Sequence, residues 1–184
     1  MTLLRKTRRI GPYRGLGTVR GQEPLPLSAR GPDVADPTDP KIAYFEQSVS
    51  PAVARACYAL LRQGIQGTLP ELVVYQWLTR RGYQFDFQTS LMGGRLELGG
   101  AVADFVIFDL DPGGIAVWRV QGEHWHAGNR DKEEKDRAQR ETLLRQSYMG
   151  QPVTVVIDLW EQDLYDHYPR VLEMAEAGVE MRPT

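Results

Sequence analysis

The stretch that decides the fold is Ala103-Asp104-Phe105-Val106-Ile107-Phe108, followed after a short break by Ile115-Ala116-Val117-Trp118-Arg119-Val120-Gln121-Gly122-Glu123-His124-Trp125-His126. Residues 101–108 and 115–120 are apolar nearly throughout, which predicts two central strands covered on both faces. Asp111-Pro112-Gly113-Gly114 between them has the chemistry of a turn. A carboxylate, Asp104, stands at the first strand, and the second runs out into polar residues and Gly122. Alternate residues of a strand share a face, so Arg119 and Gln121 point the same way.

Upstream, Ser50-Pro51 reads as a helix start, with serine at the N-cap and proline at the first helical position. Val53, Ala54, Cys57, Leu60 and Leu61 recur at helical spacing until Gly64. Thr68-Leu69-Pro70-Glu71 fits a capping box and opens a second helix that runs to Gly82. Tyr83, Phe85 and Phe87 alternate with Gln84, Asp86 and Gln88, which predicts a half-buried strand. Leu96-Glu97-Leu98 reads as a short strand after a turn at Met92-Gly93-Gly94. Downstream, the sequence predicts a polar helix over 131–148 and a β-branched strand over 153–157. Helices over 161–168 and 170–177 follow, parted by Pro169. Mixed charges along the polar helix predict a solvent-exposed element with local ion pairs. The order is that of an α/β domain with a mixed central β-sheet flanked by helices, its first strand pairs antiparallel.

The 184 residues suit one domain with an extension. Residues 1–40 are rich in Gly and Pro and carry no sustained periodicity, so they read as an extended N-terminal arm, with the body over 41–184. The arm is basic: Arg5, Lys6, Arg8, Arg9, Arg14, Arg20 and Arg30 stand against Glu23, giving residues 1–30 a charge of +6 beside -8 for the rest. Such an arm suits DNA, a protein partner, or a second copy in a homo-oligomer, and a plain solvated tail explains it as well. No apolar run is long enough to span a bilayer, and the N-terminus lacks a signal-peptide core. Cys57 is the only cysteine, which leaves neither an internal disulfide nor a cysteine zinc site. The expectation is a cytoplasmic or virion protein that is neither membrane-bound nor secreted.

The order of Thr68-x-x-Glu71, Gly82-Tyr83-x-Phe85, Asp104-Phe105-Val106 and Gly122-x-x-Trp125-His126 resembles the PD-(D/E)XK, restriction-endonuclease-like superfamily. Within it, the chain is most similar to very-short-patch repair endonucleases and related phage-encoded proteins. Lys135-Asp136-Arg137, Gly150-x-x-Val153 and Asp158-Leu159-Trp160-Glu161 fit the same pattern, over about residues 65–168. The resemblance implies an endonuclease-like core that holds Mg²⁺ on carboxylates, a hard cation on hard oxygen ligands that activates a water for phosphodiester hydrolysis.

Carried over residue by residue, the resemblance makes Asp104 the first metal ligand and Glu71 a helix-borne one. Asp104 also reads as a strand-opening surface acid, and Glu71 is explained equally by its place in the capping box. Arg119 and Gln121 hold the two same-face positions where the superfamily has a carboxylate and a lysine. A guanidinium has no lone pair for a metal and repels it. Arg119 therefore suits either a phosphate grip or an ion pair with Asp104 or Glu71 that blocks the site. His126 is a candidate general acid or base, or a hydrogen-bonded neighbour of a Trp125 anchor. Three readings result: a nuclease-fold protein with a degenerate metal site that binds nucleic acid or serves assembly, as in a phage virion; an active Mg²⁺-dependent DNA endonuclease using Asp104 with Glu71 or Glu123, assisted by Gln121 and His126; and a structural adaptor.

Overall fold

A computed structural model describes residues 39–87, 96–98, 101–111, 113–122 and 130–181. The basic residues Arg5, Lys6, Arg8, Arg9, Arg14 and Arg20, and likewise Glu123, His124, Trp125 and His126, lie outside them. Three helices lead: α1 (Pro40–Phe45), α2 (Pro51–Arg62) and α3 (Leu69–Arg81). Helix α1 was not expected; Asp39 caps it by accepting the Lys41 N–H at 2.8 Å, and its other oxygen accepts the Tyr58 hydroxyl. Helix α2 starts on Pro51 as expected, but the Ser50 side chain makes no capping bond. Helix α3 has the predicted capping box and ends at Gly82, whose φ of 80° is the left-handed conformation a helix stop requires.

The strands are β1 (Phe85–Phe87), β2 (Leu96–Leu98), β3 (Ala101–Ala103), β4 (Phe105–Ile107) and β5 (Ile115–Gln121). Helix α4 (Arg130–Leu144), β6 (Ser147–Tyr148), β7 (Gln151–Trp160), α5 (Glu161–Asp166) and α6 (Arg170–Glu176) complete the order. The main sheet runs β1-β4-β5-β7-β6. Strands β1, β4 and β5 form an antiparallel run, β5 and β7 are parallel, and β6 pairs antiparallel with β7. The crossover through α4 is what makes the β5–β7 pair parallel. Among the described residues, no helix is long and apolar enough to cross a membrane.

Each face of this sheet has its own core. Phe85, Phe87, Phe105, Ile107, Trp118 and Ile157 pack with Leu72 and Val73 of α3. Val106, Ile115, Val117 and Val156 pack on the other face with Leu143 of α4. Cys57 belongs to the first core, and burial pushes its thiol up to about 12. A register irregularity at the start of the β5–β7 pair, where Ile115 faces Val153 and Ala116 faces Val155, resets which β7 side chains face α4. Gly114 lies so close to β7 that a Cβ there would sit 2.3 Å from the Pro152 carbonyl oxygen, so the turn admits no side chain.

Three sequence expectations are corrected. The apolar run 101–108 is two strands: β3 pairs with β2 in a separate two-stranded ribbon, and β4 joins the main sheet. The chain bends at Asp104, whose carboxylate accepts the Val120 N–H at 2.7 Å, where an uninterrupted strand would have offered a carbonyl. Strand β1 is buried on both faces, since Asp86 is 3% exposed and accepts the Tyr148 hydroxyl at 2.8 Å. Burial, then that hydrogen bond and the Asp86 charge, push the Tyr148 phenol upward. The polar helix stops at Leu144, and Ser147–Tyr148 is a strand rather than a last turn.

Candidate functional site

The alternation that buries Val117 on the α4 face puts Arg119 there too, and its partner is set by the parallel register, which aligns Arg119 with Asp158. The Arg119 Nε donates to Asp158 Oδ1 at 2.6 Å, and Nη2 donates to Oδ2 at 2.8 Å. Both residues are 3% exposed. This is a two-pronged guanidinium–carboxylate fork, the geometry in which such pairs are strongest. Gln121, two residues along the same face, donates its amide to Asp158 Oδ1 at 3.1 Å. Arg140 on α4 adds a bond to Asp158 Oδ2 at 3.2 Å. Its other nitrogen donates to the Val156 carbonyl at 2.7 Å, and it also binds the Glu180 carboxylate beyond α6. Glu180 further accepts the Asp158 N–H at a long 3.5 Å. Two arginines and two carboxylates thus form one charge-balanced cluster against β7.

Asp104 and Glu71 were the expected carboxylate partners of Arg119, and Asp158 is a partner that expectation did not include. Glu71 belongs to α3, which packs on the opposite face of the sheet. Its Oε2 accepts the Thr68 N–H at 2.7 Å, so the capping role is realised. Asp104 stands at the bend between β3 and β4 and binds the backbone of β5. The structure therefore gathers Arg119 and Gln121 with Asp158, and places Glu71 across the sheet from them. His126 lies outside the described residues. Asp158, Arg140 and Glu180 were not singled out for this cluster by sequence. The β-branched run Val153 to Ile157 pointed to a strand, but only the parallel register places Asp158 beside Arg119.

These donors do not suit a hard cation. The position where the superfamily resemblance expects a carboxylate holds the Arg119 guanidinium, and the buried carboxylate paired with it, Asp158, receives four hydrogen bonds from three cationic or amide side chains. Among the described residues, no group of three or more His, Cys, Asp or Glu side chains could hold a metal ion. A cleft of about 700 Å³ lies apart from this cluster, between α1, the start of α3 and α5, and none of Glu71, Asp104, Arg119 and Gln121 lines it. Comparison with protein-family models, with curated proteins and with solved structures finds no match.

Proposed function

We propose that the chain is a nuclease-fold derivative that binds nucleic acid without cleaving it, its metal position having been converted into an ion-pair cluster. The observation that carries this reading is the buried Arg119–Asp158 fork. A permanent cation at the centre of the site opposes Mg²⁺ capture, and together with Gln121 and Arg140 it occupies the lone pairs Asp158 would offer a metal. The mixed sheet supports the fold assignment, because it sets the two motif segments, Asp104 before β4 and Arg119 to Gln121 on β5, on neighbouring strands. The basic residues of the arm, Arg5 to Arg20, supply the electrostatic attraction to DNA that a cleft with acidic Glu161 and Asp166 does not. A place in an assembly such as a virion, with packaged DNA or a second copy as the partner of the arm, follows from the same charge.

The test is twofold. Purified protein is incubated with supercoiled plasmid and Mg²⁺ or Mn²⁺, and no nicked product is expected. Nicking that Asp104→Ala abolishes would replace this reading with an active endonuclease. Binding to a labelled duplex is then followed across salt concentrations. We expect a steep loss of affinity with salt that flattens when residues 1–30 are removed. No binding at low salt would leave a structural adaptor.

A further inference from the structure

Residues 179–181 follow α6 and belong to none of the described helices or strands, yet Glu180 is held against β7 by Arg140 and the Asp158 N–H. Among the described residues, no strand pairs with the outer edge of β7 beyond Gln151 and Pro152, so its outward backbone groups take side chains as partners. The Arg140 side chain is 36% exposed and that of Glu180 23%, so this end of the cluster meets solvent while Arg119 and Asp158 do not.

The charges decide what belongs here. Arg119 and Arg140 together exceed Asp158 by one positive charge, and Glu180 cancels it. With the Glu180 carboxylate withdrawn, a guanidinium and a backbone N–H converge on one half-open spot, the pair of donors that commonly bind a phosphate oxygen. We infer that Arg140 and the Asp158 N–H form a phosphodiester-binding site that the chain's own Glu180 carboxylate occupies as an internal competitor. The inference rests on the nucleic-acid reading above and names the contact on the body that the arm would bring within reach. Nucleic acid and Glu180 then exclude one another, and affinity is set partly by how easily the C-terminal segment leaves β7.

The experiment measures binding of a fluorescent oligonucleotide duplex to the full chain, with the arm intact, as wild type, Glu180→Gln, Arg140→Gln and the double variant. Glu180→Gln is expected to tighten binding by about fivefold or more. It should also steepen the slope of log K against log salt by about 0.9, one further phosphate contact. The double variant is expected to lose both gains. Glu180→Ala serves as a second removal of the competitor, and thermal melting confirms that each variant is folded. Wild-type binding with no change on removal of Glu180 would overturn the inference and leave the nucleic-acid reading standing. No binding by any variant would remove both. Inorganic phosphate is titrated against the same proteins, and phosphate binding without a gain for the duplex would overturn the phosphodiester assignment.

Discussion

Arg119 is a cation at 3% exposure in the middle of a sheet, and its tolerance there depends on Asp158. Burying an ion pair costs desolvation that the attraction barely offsets, but removing one partner strands a bare charge. Arg119→Met is therefore expected to destabilise the protein by about 3 kcal/mol. Arg119→Met with Asp158→Leu should recover most of that loss, although Arg140 then keeps only the Val156 carbonyl as a partner on β7. Urea unfolding of the three proteins checks this, and a single variant as stable as the wild type would deny the fork its structural role. Arg119 stood out in the sequence, because a guanidinium inside an otherwise apolar strand is conspicuous. Its partner was not, since Asp158 lies 39 residues away and only the register of two parallel strands brings it near. Asp104 shows the converse: its position at the edge of a strand was readable, but its use as a surrogate backbone acceptor for Val120 depends on a bend the sequence does not announce.

At the level of elements, the helix signals were local and so were readable. Thr68, Pro70, Glu71 and Gly82 act within a few residues of themselves, and α3 starts and stops where they indicate. The capping box gives Glu71 a test that separates structure from chemistry. Glu71→Ala removes the acceptor of the Thr68 N–H and is expected to lower stability by about 1 kcal/mol. In a chain of this size that is a fall of roughly 2–4 °C in melting temperature, read by circular dichroism. An unchanged melting temperature would return Glu71 to the candidates for ligand binding. The strands were harder. Ala101-Val102-Ala103 and Phe105-Val106-Ile107 are equally apolar, so composition could not show that the chain leaves one sheet and enters another between them. Asp86 looked solvent-facing because alternation alone cannot foresee the Tyr148 hydroxyl that accompanies it into the interior.

Across the whole molecule, the charge contrast between basic residues 1–30 and the acidic remainder was visible from the sequence alone, whereas the two cores required the sheet that divides them. Helix α4 and the segment after α6 meet at the outer edge of β7, where Arg140 takes the Val156 carbonyl and Glu180 takes the Asp158 N–H. Those are the groups an incoming strand from another molecule would use. Charged side chains at an exposed edge are a recognised defence against this kind of pairing. The clasp that balances charge inside one molecule is thus also a barrier to polymerisation between molecules. Arg140→Gln and Glu180→Gln should each sediment as larger species as protein concentration rises, while the wild type does not. Any condition that draws the C-terminal segment away, the proposed nucleic-acid contact included, would leave a bare edge, so that occupancy of that proposed site and the growth of ordered chains of subunits would become a single linked equilibrium.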